Sequence, residues 1–224
     1  MTDSLQPELT ALRVAVERLD KLRLAAPPPQ PSAQDDLDVA GLRVLVVGPN
    51  ARDEALALVD RSPAHVLACE PVDASQDPDE GPGTVSREVR RCDWESLDPR
   101  HDGTFGLVYC DGLLHRVLEP MALLHRLRAM TADDGTLVIG SMLLADPERS
   151  ELLRFVPDRH AGDPSWWFVP GRLAFRWMVM TAGFEIQAEL DERKGPSDGF
   201  AVVHGHLKAT PTGRPAAANT DYVG

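Results

Sequence analysis

Two spacings of apolar residues divide the chain. Between residues 5 and 25, Leu5, Leu9, Leu12, Val16, Leu19 and Leu22 recur mostly at intervals of three and four. That period predicts an amphipathic helix over residues 1–26. Ala25-Ala26-Pro27-Pro28-Pro29-Gln30-Pro31 ends it, and residues 27–40 read as a stiff Pro-rich linker. The helix is expected either to dock on the rest of the chain or to form a homodimer contact. From Gly41 onward the rhythm changes to short apolar runs separated by helical stretches. Leu42 to Val47 (LRVLVV) is continuously apolar apart from one arginine, as expected of a central parallel strand covered on both faces.

The same reading gives a helix from Ala51 to about Arg61 and a strand from His65 to Cys69. A Pro/Gly/Asp-rich loop covers 71–83, and a weak strand follows near Thr84 to Arg91. Phe105 to Cys110 is a further strand, Met121 to Met130 a helix, and Asp133-Asp134-Gly135 a turn before a strand from Thr136 to Leu144. Residues 145–169 read as an irregular insert. Gly171 to Ala182 is helical, with Gly183 in the position that closes a helix. Phe184 to Leu190 and Gly199 to Leu207 form a terminal strand pair, and 209–224 reads as a disordered tail. There is no internal repeat.

Alternation of strand and helix predicts an α/β fold with a doubly wound, mostly parallel sheet across 41–208. Finishing such a sheet with an antiparallel pair resembles the seven-stranded sheet of class I methyltransferases rather than a dinucleotide-binding fold. Ligands of these sheets bind beyond the carboxyl ends of the strands, so the informative residues follow each strand. Here they are Gly48-Pro49-Asn50, Glu70 with Pro71, Asp93-Trp94, and Asp111. Gly48 permits a sharp turn and a close backbone approach. Glu70 offers two acceptor oxygens for a pair of ribose hydroxyls. Asp93 suits an adenine amino group, with Trp94 packing nearby.

The stretch from FGLVYCDGLLHRVLEP through TLVIGSMLLADPE resembles the methyltransferase segment running from the fourth strand to the fifth. WWFVPGRLAFRWMVMTAGFE is similar to the equivalent stretch in the tRNA wobble-uridine methyltransferase and carboxymethyltransferase-like group. The resemblance implies S-adenosylmethionine (SAM) as cofactor. It implies Gly48 and its neighbours near the methionyl part, Glu70 on the ribose and Asp93 near the adenine.

The chain departs from that pattern in the first loop. Val46 and Val47 stand where an acid is usual, and Pro49, Asn50 and Ala51 stand where glycines are usual. Asn50 is expected to cap the following helix, with Asp53 completing a capping box. A cofactor-free scaffold is therefore the alternative to an enzyme. A pyrophosphate would suffer more from this loop than SAM, which disfavours NAD.

Around the reaction centre, His115 is a candidate general base, or else a loop-supporting histidine. Trp166 and Trp167, next to Phe168, are candidates for a substrate wall or lid hinged at Gly162 and Gly171, or else for a packed cap over the sheet. Arg154 is a candidate for an anionic substrate group, or else a solvated surface arginine. Arg87, Arg90 and Arg91 read as a solvated face. The net charge of −12 disfavours nucleic acid as the main partner and leaves a small-molecule acceptor. Three cysteines, Cys69, Cys92 and Cys110, all lie in or beside apolar runs without metal spacing, so three buried thiols and no metal site are expected. No apolar run is long enough to span a bilayer, and a cytoplasmic protein is expected.

Overall fold

The computed structural model describes residues 37–70, 86–156, 165–194 and 200–209, all within one compact unit, Asp36–Gly224. The expected N-terminal helix, most of the Pro-rich linker, the expected loop over 71–83 with Pro71, the expected hinge Gly162 and nearly all of the expected tail lie outside the described residues.

Nine strands and four α-helices occur among the described residues. The strands are β1 (Arg43–Val47), β2 (His65–Glu70), β3 (Ser86–Arg91), β4 (Phe105–Asp111), β5 (Thr131–Leu144), β6 (Leu153–Phe155), β7 (Phe168–Pro170), β8 (Phe184–Lys194) and β9 (Phe200–Ala209). The helices are α1 (Ala51–Val59), α2 (Pro99–Asp102), α3 (Pro120–Met130) and α4 (Arg172–Thr181). Seven strands form one sheet in the order β3-β2-β1-β4-β5-β9-β8. β1 to β5 pair in parallel, while β9 runs antiparallel to both β5 and β8. The expected mostly parallel seven-stranded sheet with its antiparallel strand pair is therefore observed.

Burial explains the apolar runs. On β1 and β2, Leu45, Val47, Leu67 and Cys69 join one cluster with Leu123, Leu124 and Leu127 of α3 and Phe175 and Val179 of α4. The alternate residues Val44, Val46, Val66 and Ala68 are equally buried and point to the opposite face, since side chains alternate along a strand. Helix α1 packs on β1 and β2 and buries Ala51, Ala55 and Leu58.

Two sequence expectations change here. The turn at Asp133-Asp134-Gly135 is absorbed into β5 as a bulge. Phe105 pairs with Thr131 but Leu107 with Thr136, so extra residues of β5 are accommodated between the two pairs. Arg128 donates to the Thr131 carbonyl at 3.1 Å, and Lys208 Nζ donates to the Asp134 carbonyl, which supplies partners for the displaced backbone.

The insert over 145–169 is not wholly irregular. It carries a small antiparallel sheet in which Leu153, Arg154 and Phe155 pair with Pro170, Val169 and Phe168. Gly171, expected as a flexible end, is held. Its N–H donates to the Leu152 carbonyl at 2.7 Å, and it bridges to Leu144. A Cβ there would run into the backbone carbonyls of Arg149 and Ser150.

Gly171→Ala should therefore lower stability by about 1–3 kcal/mol, the usual range for forcing atoms into a packed site. Urea unfolding checks this. An unchanged midpoint would mean that the segment yields without cost.

Candidate functional site

At the carboxyl ends of β1 and β2 and just past β3 lies a cavity of about 1180 Å³. Val47, Pro49, Cys69, Cys92, Asp93 and Trp94 line one part of it. Leu113, Arg116, Val117, Leu118, Glu119, Ser165 and Trp167 line the rest, with Glu95 and Ser96. Ligand pockets commonly measure roughly 300–1,000 Å³, so this one has room for a nucleoside-sized cofactor and a second small molecule.

Gly48 is required by close approach. A Cβ on it would stand 2.6 Å from the Asp111 carbonyl oxygen, so β1 and β4 end against each other only because this residue is glycine. Asn50 sits at the N-cap of α1 but makes no side-chain capping bond. Glu70 acts there instead, its Oε1 accepting from the Arg52 N–H at 2.8 Å. A carboxylate suits the positive end of a helix, and this one reaches it from the neighbouring strand β2. Neither Asn50 nor Arg52 lines the cavity, so the atypical loop does not plug it.

Asp93 precedes a short 3₁₀ turn, Trp94–Ser96, and its exposed carboxylate makes no capping bond to that turn. Trp94 is half-buried and packs its inner side on the main core.

Among the other sequence candidates, Trp167 reaches the wall, whereas Gly48, Asn50, Glu70, Asp111, His115, Trp166 and Arg154 are not lining residues. Arg154 is exposed on β6. Trp166 is 6% exposed and packs with Met142, Leu144 and Val169. His115 is 4% exposed, edge-on to Trp166 with ring centroids 4.8 Å apart. Its carbonyl accepts the Trp167 N–H at 2.8 Å. This placement fits the loop-supporting alternative for His115 better than the general base.

Among the lining residues that sequence reasoning missed is the next one, Arg116. Leu114–Arg116 is a 3₁₀ turn, in which successive side chains point about 120° apart. One neighbour turns inward and the other to the cavity, where Arg116 donates to Ser165 Oγ. Trp167 is fixed through its backbone on both sides, since its carbonyl also accepts the Val156 N–H at 2.8 Å. Its ring stacks near Phe155 at 6.4 Å.

Cysteine chemistry also differs from expectation. Cys69 and Cys92 are joined as a disulfide, and Cys110 is the free, buried thiol. An odd cysteine count argues against a full disulfide framework but does not forbid one pair. Adjacent parallel strands bring these two Cα atoms to 5.7 Å, within bonding range. Arg90, read from the sequence as solvated, pairs with Asp102 at 2.7 Å and Glu88 at 3.0 Å. Among the described residues no group of His, Cys, Asp and Glu is arranged to hold a metal ion.

Glu54, in the first turn of α1, has a buried Oε2 with no hydrogen-bond partner among the described residues. Burial first, then the charges of Asp111, Asp53 and Glu70, raise its pKa from 4.5 to about 8.

Comparison with known proteins gives one family. The sequence model of the "Methyltransferase domain" family matches residues 13–189, most of the chain. No curated protein matches. Among solved structures, a 1,6-didemethyltoxoflavin-N1-methyltransferase from Burkholderia thailandensis, with bound 1,6-didemethyltoxoflavin and S-adenosylhomocysteine, aligns with a TM-score of 0.59. It is 16% identical, over 76% of this chain and 72% of that one. The N-terminal domain of EvdMO1 with S-adenosylhomocysteine bound gives 0.54 and 22% identity, over 76% and 75%. An S-adenosylmethionine-dependent methyltransferase from Mesorhizobium loti gives 0.56 and 14%, over 79% and 98%. At these identities the likeness is one of fold.

Glu54 generates a pH prediction. Because its folded pKa lies above its ordinary one, the fold carries no penalty from this group below about 4.5. A penalty grows as pH rises towards about 8 and is constant beyond. Glu54→Gln should flatten that part of the stability profile, read by urea unfolding between about pH 5 and about pH 9. An unchanged slope would assign the pH dependence to other groups.

Proposed function

Because the chain belongs to the methyltransferase-domain family and its cofactor is SAM, we propose that it transfers a methyl group to a small-molecule acceptor bound in the outer part of the cavity. The observation that carries this reading is that one cavity is lined by Asp93 and Trp94 as well as by Arg116 and Trp167, and that Asn50 and Arg52 of the atypical first loop are not in its lining. The last point weighs against the cofactor-free scaffold. Among the described residues no helix is long and apolar enough to cross a membrane.

The residues fit the cofactor in chemical type. Asp93 would accept from the adenine amino group beside Trp94. Glu70 stands outside the lining, next to the lining residue Cys69, and has one oxygen on the Arg52 N–H; with a cofactor bound, its second oxygen would accept from a ribose hydroxyl. The cofactor supplies an electrophilic methyl group on a sulfonium. The chain's contribution is placement: Leu113, Val117 and Trp167 exclude water from the acceptor, and Arg116 orients a polar group on it. Alignment of acceptor and donor can supply most of the acceleration, and this reading assigns no general base.

The acceptor is taken to be a small molecule rather than RNA despite the wobble-uridine-like stretch. The charge of −12 opposes a phosphate backbone. The 1,6-didemethyltoxoflavin methyltransferase is an example of such use of the fold.

Titration calorimetry with SAM and S-adenosylhomocysteine tests the cofactor site. Asp93→Ala should weaken binding about tenfold, the scale of one lost hydrogen bond to a charged group. Asp93 is the better probe than Glu70, because Glu70 also caps α1. Absence of binding at millimolar cofactor would remove the proposal. Once an acceptor is in hand, Trp167→Ala should lower turnover far more than cofactor affinity. If Trp167→Ala lowers only the melting temperature, the ring is packing and not pocket wall.

A further inference from the structure

The cavity wall carries a feature that methyl transfer does not use. Cys69 is the last residue but one of β2, immediately before Glu70. Cys92 follows β3, immediately before Asp93. Both sulfur-bearing residues line the cavity. The bond between them therefore joins the two chain segments from which the proposed ribose and adenine acceptors project.

We propose that Cys69 and Cys92 are a reversible thiol–disulfide modification site that sets how tightly the adenosine end of the cavity holds SAM. The proposal rests on the assignment of Glu70 and Asp93 to the adenosine moiety.

Three structural facts support it. First, among the described residues β3 is an edge strand of the sheet, with β2 as its one strand partner, and Arg90 ties it by an ion pair to Asp102 of α2. A covalent tie at its carboxyl end limits how far Asp93 can drift from Glu70. Preorganising both acceptors lowers the ordering cost of binding. Second, the local geometry suits both redox states. Cys69 Sγ also lies 3.2 Å from the Cys92 carbonyl oxygen. In the reduced state the Cys69 thiol has that carbonyl as an acceptor, so opening the bond leaves no stranded polar group. Third, the remaining cysteine is not a competitor. Cys110 is fully buried in β4, and burial, then the charges of Asp111 and Glu54, push its thiol well above the ordinary range. Thiolate is the reactive species, so Cys110 is inert.

The reaction balances with a low-molecular-weight disulfide as oxidant. Cys92 is 8% exposed and Cys69 is fully buried, so Cys92 reacts first. The Cys92 thiolate attacks one sulfur of glutathione disulfide and expels one glutathione thiolate. The Cys69 thiolate then attacks the Cys92 sulfur of the mixed disulfide and expels the second. Two thiol protons pass to solvent, the cysteine pair loses two electrons, and glutathione disulfide gains them.

The test uses the full chain in two states, one treated with glutathione disulfide and one with a phosphine reductant, each then freed of reagent. Alkylation under denaturing conditions, counted by mass, should find one reactive thiol in the first and three in the second, matching the three cysteines of the sequence. S-adenosylhomocysteine titrated into each should bind about tenfold more weakly to the reduced protein, the scale of one lost ordering contribution. Cys92→Ser should bind at the reduced value whichever reagent is used, while Cys110→Ala should keep the full response. Hydrogen exchange of the β3 amides should rise on reduction. Equal affinities in the two states, within about twofold, would overturn the proposal and leave the cofactor site standing. Three alkylated thiols after oxidation would overturn it as well. No binding in either state would overturn both.

Discussion

Covering the central strands on both faces removes every opportunity for them to present a polar side chain. Val44, Leu45, Val46 and Val47 on β1, and Val66, Leu67, Ala68 and Cys69 on β2, are all buried. A group that is to meet a ligand must stand where the strand stops and the helices no longer cover it. The cavity is therefore lined by residues at or just after strand ends, and by the turn after β4 and the segment after β5 that lean over them. Gly48 makes the arrangement possible at its centre. The carbonyl of Asp111 occupies the volume that any side chain there would need.

That constraint also decides what was legible in the sequence. Continuous apolar runs located β1, β2 and β4 to within a residue, because two-sided burial leaves a run with no alternation. Reading the residues after β1 and after the weaker β3 found Pro49, Asp93 and Trp94, all of which line the cavity. The reading failed where local geometry and not burial decides. The bulge in β5 contains a turn-like Asp-Asp-Gly, and no local signal tells a turn from a bulge. His115 and Arg116 are adjacent and both polar, so only the 3₁₀ path of the backbone says which one faces the cavity. The Cys69–Cys92 pair depends on which strands are neighbours, a property of the sheet and not of either segment.

Trp166 and Trp167 show how one short motif serves two purposes. Trp166 fills a small core with Met142, Leu144 and Val169. Trp167, held by the carbonyl of His115 and the amide of Val156, is turned to the cavity. The aromatic wall is thus fastened through its backbone to the turn after β4 and to the strand end beside β7. Its position follows those elements, which gives that side of the cavity a fixed shape rather than an adjustable one. Gly171 contributes the same rigidity from the other side, since its N–H is spent on Leu152 and it has no room for a side chain.

The carboxylate of Glu70 holds the first turn of α1 through the Arg52 amide. The helix needs that acceptor whether or not a ligand is present, because Asn50 does not supply one. Selection for folding alone would therefore preserve the acid. A descendant of this chain that had abandoned methyl transfer would still carry Glu70. An acidic residue at the end of the second strand thus records how this helix is started, and counts as a mark of catalysis only when the space in front of it has also been kept open.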